Sequence, residues 1–189
     1  AIGFYGDRGD GILDEDSPSG EGFLAGVARE WEAATKPAAA AGIRVVQMRF
    51  GVVLSPKGGA LAKLLTPFRM GAGGAIGSGR QHWSWISIDD AASAIYHVLM
   101  TDSTHGPVNA VAPGSVTNVA FTKTLGRVLS RPSIARVPAL AARIALGEMA
   151  DELLLASTRV RPKRLLNSGF EVRHDALEDA LRHMLGRAT

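Results

Sequence analysis

Residues Ile43–Leu54 read IRVVQMRFGVVL. The run is nearly continuous in apolar and β-branched residues, the pattern of a strand buried on both faces, as in parallel sheets. Upstream, SPSGEGFLAGVAREWEAATKPAAAAG (17–42) opens with the cap-type residues Ser17 and Ser19. Phe23, Leu24, Val27 and Trp31 then recur at helical spacing. Pro37 is expected to kink or interrupt this helix and Gly42 to end it. Further back, AIGFY (1–5) reads as the C-terminal end of another strand. Strand, loop, helix and buried strand in that order form a right-handed crossover joining parallel strands. The class is therefore α/β.

Two or three parallel strands under one helix layer leave an apolar face uncovered. The reading thus expects the C-terminal half of a Rossmann-like, doubly wound parallel sheet, with about half of that domain ahead of Ala1. Downstream, SPKGGALAKLLTPFRM (55–70) predicts a turn and a short helix. The segment from Gly71 to Asp102 predicts a Gly-rich loop, a β segment from Trp83 to Ile88 and a helix capped by Asp89. That helix carries Ala92, Ile95, Tyr96 and Leu99 on one face. GPVNAVAP (106–113) is a further strand, followed by a helix capped by Thr117 or Asn118 and closed by Pro132. Residues 136–189 read as a small, mainly helical C-terminal domain on the substrate side, with an extended piece around Phe170–Val172. Residues 1–135 hold the cofactor-binding domain.

The chain has 189 residues, is 46% hydrophobic and 21% charged, with a net charge of +3 and no Cys. That is enough to bury a core. It excludes disulfides, thiolate metal sites and a Cys nucleophile, and fits a reducing cytoplasm. No apolar run approaches the ~20 residues of a membrane span. The basic run STRVRPKRLL (157–166) lacks interleaved aromatic residues. It reads as a solvated face or an anion site rather than a nucleic-acid surface.

Several pieces in order resemble one family. AIGFYG and WSWISIDDAASAI are similar to segments of extended short-chain dehydrogenases/reductases, the NAD(P)-dependent epimerase/dehydratase family. SPKGGALAKLL, GSGRQHWSWI, ALGEMADELLLAS and RVRPKRLLNSGFEVRHDALEDAL resemble its atypical, sugar-nucleotide-epimerase-like branch, which carries a C-terminal domain of unknown function. The resemblance implies a Gly-x-x-Gly-x-x-Gly pyrophosphate loop ahead of Ala1, and NADP or NAD as cofactor with NADP preferred. It also implies a small-molecule substrate, with sugar nucleotides the class the broader family suggests. The family's hydride-transfer members use Ser, Tyr and Lys in positioned acid–base chemistry. Those three positions fall here on Ala1, Leu24 and Ala28, which carry no exchangeable proton. The function implied is an epimerase- or oxidoreductase-like protein lacking that set. The alternative is a cofactor-binding or sensing module without chemistry.

The resemblance places the cofactor against Ala1, Ile2 and Gly3, and against Phe50, Gly51, Val52 and Val53, whose backbone would approach the nicotinamide amide. Tyr5 is the candidate for the missing acid and a substrate contact, or else a packing residue. Lys57 beside Gly58 and Gly59 offers donors to an anion, or caps a helix. Arg80 presents a planar donor fork. Trp83 and Trp85, two residues apart on a strand, stack on a substrate ring or else lie in the core. The five His show no metal-binding spacing, and no metal site is expected.

Overall fold

The computed structural model describes residues 1–147 and 150–187. The chain opens with a 3-10 turn at Ile2–Tyr5, then β1 (Ile12–Leu13), α1 (Phe23–Ala33) and α2 (Lys36–Ala40). The run 43–54 forms β2 (Val46–Phe50) and β3 (Val52–Leu54). Next come α3 (Gly59–Arg69), β4 (Gly74–Ile76), β5 (His82–Trp83), β6 (Trp85–Ser87) and α4 (Ile88–Met100). β7 (Gly106–Ala110), β8 (Val116–Thr117), α5 (Asn118–Leu129), β9 (Ala135–Val137) and α6 (Ala139–Leu146) follow. A π-helical turn at Asp151–Leu155, β10 (Arg159–Val160), α7 (Lys163–Asn167) and α8 (Leu177–Met184) complete it.

The architecture is Rossmann-like α/β. β2 pairs in parallel with β7, from Val46 opposite Gly106 to Phe50 opposite Ala110. β3 pairs in parallel with β6, β1 with β10 and β4 with β9, whereas β5 and β8 run antiparallel. Gly51 separates β2 from β3 for a steric reason. A Cβ there would lie 2.6 Å from the Ser84 carbonyl oxygen and 2.8 Å from a Val111 methyl group. The largest core cluster joins Leu54, Leu61, Phe68, Trp85, Phe121 and Leu125 to Leu177 and Leu181 of the C-terminal region.

Several sequence expectations are corrected. Residues 2–5 are a 3-10 turn rather than a strand end: Phe4 N–H reaches Ala1 O at 3.1 Å and Gly6 N–H reaches Gly3 O at 3.1 Å. α1 begins at Phe23, past the Ser17 and Ser19 caps. It buries Ala25 and Ala28 and turns Phe23 (72% exposed) and Trp31 (69%) outward. α4 is capped by Ser87, whose Oγ accepts from Asp90 N–H at 3.0 Å. It buries Asp90, Ala91, Ala94 and Val98, while Ile95, Tyr96 and Leu99 are exposed. Phe170–Val172, expected as an extended piece, is neither helix nor paired strand. Other readings hold: α1 stops before Pro37, and Thr117 caps α5 by accepting from Ala120 N–H at 3.3 Å. Glu148 and Met149 of the quoted ALGEMADELLLAS motif lie outside the described residues. Among the described residues no helix is long and apolar enough to cross a membrane.

Candidate functional site

A cleft of about 390 Å³ opens where the 3-10 turn, the start of α1 and the 151–158 segment meet. Gly3, Gly22, Leu24, Glu152, Ala156 and Thr158 are among its walls. Gly3 and Leu24 touch: a Cβ on Gly3 would lie 3.3 Å from Leu24 Cβ. The cleft therefore brings one residue assigned to cofactor next to the position the family resemblance gives to its Tyr.

The floor is the N-terminus of α1. Its first N–H groups have no partner within the helix. Gly22 supplies no side-chain cap, and the Glu152 carboxylate supplies the missing acceptors from far along the chain. Glu152 Oε1 accepts from Phe23 N–H at 2.9 Å and Oε2 from Leu24 N–H at 2.6 Å. A carboxylate there also meets the positive end of the helix dipole. Beside it, Arg143 grips Asp151 with Nη2–Oδ1 at 2.8 Å. Asp7 and Glu21 also line the walls, so acids outnumber bases. Sequence reading missed Glu152 and Thr158 altogether. Glu152 reaches Phe23 across 129 residues and Thr158 reaches Gly6 across 152, contacts that no local pattern announces.

The other assigned residues lie elsewhere. Tyr5 is buried at 0% exposure. Its hydroxyl donates to Asn109 Oδ1 at 2.8 Å and accepts from Arg49 Nη1 at 2.9 Å. Burial pushes its phenol up from the ordinary value, with hydrogen bonds from Arg49 opposing. A sequestered phenol that holds its proton more tightly is a poor proton donor, and this hydroxyl is already engaged by Asn109 and Arg49. Arg49, only 4% exposed, forms a bidentate pair with Glu32 and lies 3.5 Å over the Phe4 ring.

Gly51 N–H is bound to Ala110 O at 3.2 Å and Val52 N–H to Ser84 O at 2.8 Å, so these donors serve the sheet. Phe50 and Val53 pack on Ile86 and Ala110. Trp83 and Trp85 are core residues, with indole N–H groups donating to Leu154 O at 3.3 Å and Gly114 O at 2.9 Å. They do not present an open face for stacking. Lys57 and Arg80 are exposed on turns, and neither lines the cleft. Of the basic run, Lys163 pairs with Asp14 and Asp16, and Arg164 with Asp16.

Gly71, Gly74 and Gly77 show Gly-x-x-Gly-x-x-Gly spacing, but Gly71 follows α3, Gly74 opens β4 and Gly77 comes just after it. A phosphate cradle needs a strand before the loop and a helix after it. Gly74 instead sits against Ala135, where a Cβ would lie 2.2 Å from the carbonyl oxygen.

Comparison with known proteins fits this geometry. Residues 137–184 match a domain of unknown function, DUF1731. An epimerase family protein of Mycobacterium bovis, Mb2239, is 44% identical over 181 residues, which cover 96% of this chain and 60% of that protein. The crystal structure of human epimerase family protein SDR39U1 (isoform 2) with NADPH superimposes with a TM-score of 0.88 at 35% identity. That match covers 98% of this chain and 63% of the human one. A nucleoside-diphosphate sugar epimerase from Corynebacterium glutamicum matches with a TM-score of 0.80 at 42% identity, covering 98% of this chain and 36% of that one. The chain spans about 60% of the length of the curated relatives it matches.

Parallel strands wound with helices, ending in this small C-terminal domain, define a Rossmann-like protein of the extended short-chain dehydrogenase/reductase class. Within that class the chain is similar to epimerase family proteins, and its C-terminal end matches DUF1731.

Proposed function

We propose that the protein binds NADP(H) and holds the nicotinamide end, with a small-molecule substrate, in the cleft over Gly3 and the start of α1. One observation carries this: the close match to the NADPH-bound human structure along nearly the whole chain. Ala1 and Ile2 precede Gly3 in the chain and are not among the cleft walls. Residues 136–189 form the substrate-side unit, a division supported by the domain match at 137–184 and by the cleft walls contributed from 151–158. The acidic walls suit a neutral or cationic group, and the oxidised nicotinamide ring is cationic.

Titrating the full protein with NADPH and NADH tests this reading. NADPH is expected to bind more tightly. Ala156→Trp, which fills the cleft, is expected to weaken it about tenfold, a change of about 1.4 kcal/mol. Absence of binding to either nucleotide would overturn the assignment.

A second reading has its own support. By the family resemblance Ala1, Leu24 and Ala28 fall at the Ser, Tyr and Lys positions, which favours a module that binds cofactor without transferring hydride. Following the reduced-nicotinamide absorbance with sugar nucleotides and simple carbonyls separates the two. Turnover supports an enzyme; binding without turnover supports a sensor.

A further inference from the structure

Three side chains distant in sequence converge away from the cleft. Asp89 lies in the first turn of α4, His183 in the last turn of α8, and His174 in the stretch leading into α8. His183 Nε2 is 3.2 Å from Asp89 Oδ2. The His174 and His183 rings stack with centroids 4.5 Å apart and planes 29° from parallel. One ligand atom from each residue falls within 4.8 Å of the other two. None of the three lines the cleft.

The backbone beneath this cluster is fixed. Asp90, next to Asp89, is fully buried. Its carboxylate accepts from Arg173 N–H at 3.0 Å, His174 N–H at 3.2 Å and Ser87 Oγ at 2.8 Å. A buried carboxylate with three donors is a rigid anchor. It seats His174 beside the first turn of α4, so the juxtaposition does not depend on flexible side chains alone.

We propose that Asp89, His174 and His183 form a divalent-cation site, matched best by Zn²⁺, which fastens α8 and the loop before it to the start of α4. Two imidazoles and a carboxylate are ligands that zinc takes in tetrahedral sites, with a fourth position for water. Metal–ligand distances of about 2.0–2.2 Å put tetrahedral ligand atoms roughly 3.3–3.6 Å apart. The Asp89–His183 pair is already near that spacing, and His174 has only to close in. The side chains of His183 and Asp89 are 57% and 47% exposed, which leaves an open path for the ion. The charge balance agrees: two neutral imidazoles and one carboxylate leave a divalent ion with one residual positive charge. Without the ion, the same atoms provide a His–Asp contact and a ring stack. The site joins the domain of unknown function to the α/β region, so its role is to hold the two together.

The test uses full protein stripped with EDTA and dialysed, then titrated with ZnCl₂ by calorimetry and by thermal melting. We expect one Zn²⁺ per chain and a higher melting temperature with zinc. His183→Ala and Asp89→Asn are each expected to weaken binding at least about tenfold. His105→Ala, on an exposed turn, is expected to change nothing. In wild-type protein, the imidazole ¹⁵N resonances of His174 and His183 should shift on adding zinc. That readout stands even where a variant folds poorly. Unmoved resonances, or equal zinc affinity in wild type and His183→Ala, would overturn the site and leave only the ion pair.

Discussion

Replacing the Tyr5 hydroxyl by hydrogen removes two contacts at once. Asn109 Oδ1 loses its donor, and Arg49 Nη1 loses an acceptor while keeping the Glu32 pair. Orphaned buried polar groups cost about 1–3 kcal/mol. Tyr5→Phe should therefore lower stability by about that amount in urea denaturation and leave NADPH binding unchanged. Loss of binding without loss of stability would return Tyr5 to the site. The same residue gives a pH dependence. Burial raises its phenol above the ordinary 10.0, so the folded state favours the neutral form. That contribution is fully present below pH 10.0 and is lost as pH rises through the raised value. Between about pH 8 and about pH 11, the wild type should lose more stability than Tyr5→Phe, as urea midpoints will report.

At the scale of elements, the hydrophobic pattern located helices better than it oriented them. α1 and α4 both form about where periodicity puts them, yet each is rotated from the expected face. α1 turns in Ala25 and Ala28 because the 3-10 turn lies close against it, with room for small side chains only. α4 is turned by Asp90, whose partners are backbone N–H groups of residues 173 and 174. A buried acid satisfied by main chain some eighty residues away leaves no apolar signature. The site was partly legible for the same reason. Gly3 and Leu24 came from the family resemblance, whereas Glu152, Thr158 and the Asp89–His174–His183 cluster needed tertiary contacts. Burying a pair of indoles was equally compatible with the alternation at 83 and 85, and their N–H partners decided the matter. The rotation of α1 is testable. Ala28→Leu should overpack the inward face and cost about 1–3 kcal/mol. Trp31→Gln, on the outward face, should stay within about 0.5 kcal/mol. Denaturant midpoints for the two variants check the order; the opposite order would mean that α1 faces the other way.

Across the whole molecule, the loop from Asp7 to Asp16 is bound to the segment 157–164. Arg8 N–H donates to Ser157 O at 2.9 Å, Ser157 Oγ to Gly9 O at 2.6 Å, and β1 pairs with β10. Glu15 is the inner link. Its Oε1 accepts from Asn109 N–H of β7 at 2.9 Å and from Arg164 N–H of α7 at 3.1 Å, and the residue is 5% exposed. The outer links are Lys163 and Arg164, which hold the Asp16 carboxyl below its ordinary 3.8, Lys163 contributing most. Their help is present above pH 3.8 and lost as pH falls through the lowered value, and salt screens it because the groups face water. The two kinds of link should respond differently. Glu15→Ala orphans one buried and one partly buried donor and should cost about 2 kcal/mol, insensitive to salt. It should also free the loop for tryptic cleavage after Arg8. Asp16→Asn should barely change stability, and what change there is should vanish at high salt. Limited trypsin digestion alongside urea melts in low and high salt measures both. A Glu15→Ala protein as resistant and as stable as the wild type would mean that strand pairing and the surface ion pairs close the molecule without the buried carboxylate.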